Sequence, residues 1–412
     1  MLKKIGITFP RDIPFVVWIA LLLVALAVGG YAAAIVLIRG LVVTNLTDQV
    51  PWGLWITVDI SAIALSGGAF FLSALVHIVG IKRFKPIAKL AVFIGLLGYT
   101  TAVMTLLLDI GRPDRFWVPL TSWNTHSMLW EVTMCVILYL NVLLLEVFPL
   151  VTTHKFFDRL PRIRRLAEFL HRGAPALAFL GLFFSALHQS SIGGTFGVVI
   201  ARPIWFRPTM PLMFIASAMA VGPALVIVAA LVVGLLRGYD IVPRDVLFDV
   251  GRIAGAVLLI YLYMRFWDTM AGNYGYVPLR TEATEVLTRG EMALLFWSWE
   301  VIFGGVFPAI LLLWAATARS EAGLFIGGTM AVIGLALNRW NTTLVGLTTP
   351  LMTDPVITYP LRPSYTPSWI EWAAAIGLVS GALLVFTLGM RYLPAFGPEA
   401  AQADSHAHSG AD

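Results

Sequence analysis

The stretch Thr125–Pro149, THSMLWEVTMCVILYLNVLLLEVFP, decides the fold. It is long enough to cross a bilayer, which takes about 20 apolar residues at 1.5 Å rise each. Yet it carries Glu131 near one end and Glu146 near the other. On a helix the two carboxyls sit roughly 22 Å apart and roughly 60° apart in azimuth, on much the same side. A carboxylate at the bilayer centre costs about 2.5 to 3.5 kcal/mol on insertion scales. Two of them on one side describe a polar lane turned towards other helices. The simplest use of such a lane is pairing that fixes helix packing.

The whole chain extends this pattern. It has 412 residues, 59% hydrophobic and 12% charged, with a mean hydropathy of +0.85. That composition defines an all-α, polytopic membrane protein. The single cysteine, Cys135, excludes an intrachain disulfide, a Cys-ligated zinc site and an iron–sulfur cluster held by this chain alone. Apolar runs bounded by charge, Pro or Gly predict ten spans, at about 13–38, 52–80, 86–110, 125–150, 173–191, 209–236, 246–271, 291–317, 322–345 and 368–393. The runs lack the short alternation of barrel strands, so helices are the expected form. The opening MLKKIGITFPRDIPF lacks a small-residue cleavage pattern and reads as a retained first span. Residues 1–394 form one ten-helix domain, and 395–412 a polar, disordered tail whose His406 and His408 reflect composition rather than a metal site.

Lys and Arg are about twice as frequent in the loops on the N-terminal side, which places both termini in the cytoplasm. The basic segment 152–172 on that side suits an interfacial amphipathic helix. The opposite loops 111–124, 192–208, 272–290 and 346–367 are longer and rich in Trp, Tyr, Pro and Gly. Such loops anchor at headgroup depth and also suit a docking platform for a partner.

Counting from span ends sorts the intramembrane polar residues by depth. Asp59, Asp109, His126, Glu131, His188, Arg265, Asp268, Glu300, Arg339 and Glu371 fall towards the outer side, with Asn338 and Asn341. His77, Glu146, Asp249 and Arg252 fall towards the cytoplasm. Some have plain structural uses. Arg265 and Asp268, three apart, can neutralise each other; Arg339 can anchor a helix end on loop carbonyls; His188, in HQSSIGG, can cap the end of its span. The functional reading is a quinone or proton site in the outer half, where His or Tyr holds a carbonyl and a carboxyl exchanges the proton. Asp59, Glu131, His188 and Asp109 are the candidates for that chemistry, with Glu300, Arg265 and Arg339 around them. His77, Glu146, Asp249 and Arg252 are candidates for a proton lane to the cytoplasm. Only His126 and His188 share a depth suitable for a bis-histidine haem, and no haem or metal is expected. GGTFG at 193–197 lacks the Lys of a phosphate-binding loop. A secondary transporter without redox function is the competing reading, although no inverted repeat or paired broken span is evident.

PWGLWITVDISAIALSGGAF (51–70), LLLDIGRPDRFW (106–117), SMLWEVTMCVILYLNVLLLEVFP (127–149), HQSSIGG (188–194) and SWIEWAAAIG (369–378) occur in a telling order. Together they resemble the NrfD-like family of quinone-interacting membrane subunits, relatives of polysulfide reductase. The pattern is most similar to the ten-span branch that serves hydrogenase-2-type [NiFe] hydrogenases, from residue 50 to 394. The resemblance implies a haem-free subunit, not catalytic alone, of a respiratory oxidoreductase in a bacterial or archaeal cytoplasmic membrane. It would pass electrons between menaquinone or ubiquinone and a ferredoxin-like, multi-cluster iron–sulfur subunit on the periplasmic face, with catalytic subunits beyond and possible proton translocation. It implies no nucleic acid. Asp59, Asp109, Glu131, Glu146, His188, Glu300, Arg339 and Glu371 fall at matching positions of the hydrogenase branch; Asp268 matches only as an acidic residue, and His126 does not match clearly.

Overall fold

A computed structural model describes residues 13–277, 279–348 and 363–399. Lys3, Lys4, Arg11, Arg362, His406, His408, most of the expected loop 346–367 and most of the expected tail lie outside the described residues. Among the described residues all regular structure is helical, and ten helices are long and apolar enough to cross a membrane. They are α1 (Ile13–Arg39), α2 (Leu54–His77), α3 (Lys85–Asp109), α4 (Met128–Val151), α6 (Ala174–Gly197), α7 (Met210–Arg237), α8 (Arg244–Tyr274), α10 (Leu295–Ala318), α11 (Glu321–Thr348) and α12 (Trp369–Tyr392). Two shorter helices complete the order: α5 (Pro161–Arg172) and α9 (Arg280–Thr288). The chain is a multi-pass membrane protein.

Local chemistry sets the helix ends. Ser127 caps α4 by accepting from the Trp130 N–H at 3.3 Å. Ser368 and Glu371 cap each other's backbone at the start of α12, which satisfies donors a helix start leaves orphaned. The expected end of the fifth span at residue 191 is corrected: α6 runs on to Gly197. Gly193 and Gly197 lie flat against the start of α7, where a Cβ on Gly193 would come 2.7 Å from the Pro211 Cα. Glycine here allows backbone approach between helices instead of ending one. His188 is therefore nine residues inside its helix.

The spans form two four-helix bundles and a pair. The first bundle is α2, α3, α4 and α6; the second is α7, α8, α10 and α11; α1 and α12 pack on each other beside the first. The bundles meet where α2 crosses α7, with Gly68 against Gly222 so closely that a Cβ on either would strike the other backbone. Gly304 of α10 and Gly334 of α11 make the same kind of contact. Small residues suit bilayer interfaces, where packing replaces the hydrophobic drive between helices. Residues Leu295–Val306 of α10 wind as a wider π-helix, and the Phe307 N–H reaches the Ile302 carbonyl five residues back. Such widening re-aims side chains and is frequent at functional positions.

The guanidinium of Arg391 at the end of α12 covers the ring of Phe15 at the start of α1. Asn45 just after α1 donates its N–H to Glu371 at the start of α12. The two helices are thus antiparallel. The side where α1 begins is the near face, and the other is the far face. The predicted amphipathic segment is present on the near face as α5, and its Ala167 and Leu170 are buried.

Candidate functional site

The first bundle buries a hydrogen-bonded aromatic set at its centre. His188 of α6 is fully buried, and its Nδ1 lies 2.5 Å from the hydroxyl of Tyr99 on α3. The Tyr99 ring stands edge-on to Tyr139 of α4, with centroids 4.6 Å apart. Asp59, Tyr139 and Cys135 are within electrostatic reach of the Tyr99 phenol. When that phenol donates to Nδ1, the imidazole proton sits on Nε2, and Nε2 has no partner among the described residues. One helix turn farther along, Ser191 Oγ lies 2.9 Å from Oε1 of the half-buried Glu131. Asp59 is buried, and Asp109 lies between it and Glu371 in an electrostatic row leading to the far face. No lysine or arginine forms an ion pair with Asp59, Asp109 or Glu131 among the described residues.

The row ends in a tight cap. Glu371 accepts from Tyr365, from the Asn45 N–H at 3.1 Å and from the Ser368 N–H at 2.8 Å, while the Tyr365 hydroxyl also accepts from the Leu54 N–H at 2.9 Å. Burial, and then the neighbouring Glu371, push the Tyr365 phenol above its ordinary pKa.

The second bundle is charged where the first is titratable. Glu300 of the π-helical turn accepts from Arg265 Nη2 at 3.1 Å, from Asn338 Nδ2 at 2.8 Å and from Asn341. Arg265 also reaches Asp268 at 3.5 Å, but Arg207 holds Asp268 more closely at 2.8 Å, and Arg280 stands 4.0 Å away. Arg207, in the loop before α7, has its pKa lowered to about 10 by burial, even with Asp268 beside it. Arg339 donates to Asn338 Oδ1 at 3.1 Å and to Ser217 at 2.6 Å, and sits 3.9 Å over the Phe214 ring. A cavity of ≈ 20 Å³ lined by Ser217, Tyr261, Arg265, Glu300 and Asn338 opens beside this set. It has room for a water or two.

The structure therefore divides the set expected from depth alone. Asp59, Asp109, Glu131 and His188 share the first bundle. Arg265, Glu300 and Arg339 belong to the second and are bound to one another through Asn338. Three structural expectations are corrected too. Arg265 and Asp268 do not simply neutralise each other, because closer partners hold both. Arg339 anchors on side chains within the bundle, not on loop carbonyls. His188 does not cap a helix end. His126 is exposed in the loop before α4. In the expected near-face lane, Glu146 has a buried Oε2 with no partner among the described residues and lies in electrostatic reach of Tyr139. Asp249 is instead held by Arg83 at 2.5 Å and by the exposed Arg252 at 3.8 Å, and His77 is half-buried at the end of α2. Depth counting missed Tyr99, Tyr139 and Ser191, since an aromatic or a serine in an apolar span carries no charge to flag it.

The two halves also repeat one another. Trp130-Glu131-Val132 opens the third helix of the first bundle, and Trp299-Glu300-Val301 the third helix of the second. Ala186-Leu187-His188 on one fourth helix corresponds to Ala336-Leu337-Asn338 on the other. Ser191 then meets Glu131 as Asn341 meets Glu300.

Fold and site define a class: a ten-span helical membrane protein with a buried Tyr–His pair in one bundle and an Arg–Glu–Asn network in its counterpart. The chain belongs to the NrfD family (Polysulphide reductase, NrfD), which it matches over residues 42–351. It is 35% identical to the menaquinone reductase integral membrane subunit of Nitratidesulfovibrio vulgaris, over 94% of this chain and 93% of that one. It is 25% identical to the probable Ni/Fe-hydrogenase 2 b-type cytochrome subunit of Escherichia coli, over 89% and 88%. It is also 24% identical to the Hdr-like menaquinol oxidoreductase integral membrane subunit of Archaeoglobus fulgidus, over 92% and 93%.

Proposed function

We propose that this chain is the quinone-handling membrane subunit of a respiratory oxidoreductase, working at the Tyr99–His188 site of the first bundle. The observation that carries this reading is the buried Tyr99–His188 pair with Nε2 unpartnered. An imidazole N–H in an apolar bundle suits a quinone carbonyl, which needs a donor and a dry, shaped pocket. Reduction of a quinone takes two electrons and two protons. In this reading the electrons come from an iron–sulfur partner docked on the far face, and the reverse flow oxidises a quinol. Membership of a family whose relatives include a menaquinone reductase subunit supports the substrate class.

Protons then move through this chain's own groups. His188 passes a proton at Nε2 while taking one at Nδ1 from Tyr99, and Tyr99 regains its proton from the side of Asp59, which lies within electrostatic reach. Asp59, Asp109 and Glu371 form the exchange row towards the far face. Tyr139 and Glu146 form the lane towards the near face, and any net translocation would use both. The basic loops at Lys82, Arg83 and Lys85 and at Lys155–Arg172 favour a cytoplasmic near face and a periplasmic far face. A bis-histidine haem would need His126 beside His188, but His126 is exposed in the loop before α4 while His188 is buried inside α6.

The test is quinone-coupled turnover in the assembled complex. His188→Ala and Tyr99→Phe should each slow it while the complex still assembles and the partner's cluster still reduces. Wild-type turnover in both variants overturns the assignment.

A further inference from the structure

We propose that α5 and the turn before it form a binding surface for anionic phospholipid headgroups. The reading of the redox site plays no part in it. Segment 155–172 carries Lys155, Arg159, Arg162, Arg164, Arg165 and Arg172 against only Asp158 and Glu168. Arg164 is paired with Asp158 at 3.1 Å. Arg159, Arg162, Arg165 and Arg172 are exposed, and none has an ion pair among the described residues.

Helical geometry sorts the side chains. At about 100° per residue, Arg162, Arg165, Leu166, Phe169 and Arg172 fall within an arc of about 120°. Ile163, Ala167 and Leu170 form the other face, and Ala167 and Leu170 are buried there against the bundle. The outward arc thus interleaves three guanidiniums with two large apolar side chains. Phe169 is 71% exposed and Phe156, in the preceding turn, 65%. Position then selects the occupant. α5 sits between Val151, where α4 leaves the bilayer, and Ala174, where α6 re-enters it. At that depth Phe156, Leu166 and Phe169 meet acyl chains, while the arginines meet headgroups. A guanidinium fork matches the paired oxygens of a phosphodiester. An acidic protein segment would satisfy the arginines but would not account for apolar side chains held at bilayer depth.

The experiment extracts the complex containing the full chain and counts retained lipid by native mass spectrometry. Nanodiscs of phosphatidylcholine with and without phosphatidylglycerol supply the lipid. The wild type should retain phosphatidylglycerol in preference to phosphatidylcholine. Replacing Arg162, Arg165 and Arg172 by Gln should weaken retention by about fivefold for each arginine removed. The corresponding Lys variant should keep most of it, and Phe169→Ala should shorten it. If the triple Gln variant does not assemble, the single Arg165→Gln variant carries the same comparison with one step of weakening. Equal retention in wild type and Gln variants, or no preference for phosphatidylglycerol, overturns the proposal. Displacement of the lipid by inorganic phosphate alone also overturns it, because the surface would then read a free anion. Capture of an acidic protein with no bound lipid would assign the surface to a different partner and overturn it as well.

Discussion

Glu131 and Glu300 open equivalent helices of the two bundles, each preceded by Trp and followed by Val, yet they keep different company. Glu131 is half-buried and meets a serine hydroxyl, and the imidazole one turn away is bound to a phenol. Glu300 is buried and held by a guanidinium and two carboxamides, with Arg339 nearby and Arg207 and Arg280 around Asp268. Tyr, His and carboxyl side chains can each gain or lose a proton. A guanidinium keeps its proton, and the charge-assisted bonds it makes to a carboxylate are strong and directional. The same helical frame thus holds a Tyr–His pair in one half and an Arg–Glu lock in the other.

That contrast has graded consequences. The largest should follow His188→Ala: a loss of about a hundredfold or more in quinone-coupled turnover, the scale of one positioned acid–base group, in a complex that still assembles. In the other bundle, Glu300→Ala should do the reverse at the level of folding. Removing one partner of a buried ion pair costs about 3 to 5 kcal/mol, so the detergent-solubilised chain should melt at a clearly lower temperature. Comparable effects of both variants on turnover, with the complex intact, would dissolve the distinction between the halves.

Backbone packing gives a smaller test. Gly304→Ala would press a methyl onto Gly334, and overpacking of this kind costs about 1 to 3 kcal/mol. Thermal melting should register it, and the Arg265–Glu300 geometry should loosen with it. Glu146→Gln probes the near-face lane. It should leave melting nearly unchanged and slow proton uptake from the near face in proteoliposomes; parental uptake would make Glu146 a packing residue. The slightest effect belongs to the half-buried Glu131. Glu131→Gln keeps the hydrogen bond to Ser191 and should shift melting by less than about 1 kcal/mol.

Much of this frame was legible in the residues. Ten hydropathic runs mark the ten spans, since each must satisfy its own backbone in lipid. The basic amphipathic segment before α6 was equally plain. Legibility stopped where one dimension of the chain had to stand for three. Depth along a span places Arg265, Glu300 and Arg339 level with His188, but it carries nothing about which bundle a helix joins. Glycines in HQSSIGG look like a helix end until α7 is seen lying against them. Tyr99 and Tyr139 carry no charge to betray them among apolar neighbours. The repeat between the halves is two short matches spaced far apart, and the shared Glu-to-fourth-helix contact makes them meaningful.

The central claim is that quinone chemistry belongs to the first bundle. A photoreactive quinone analogue, cross-linked in the assembled complex and mapped by peptide mass spectrometry, tests it most directly. The account predicts labels on α2, α3, α4 or α6 around Tyr99, Tyr139 and His188, suppressed by excess natural quinone. Competable labels confined to α8, α10 or α11 around Arg265 and Glu300 would contradict it.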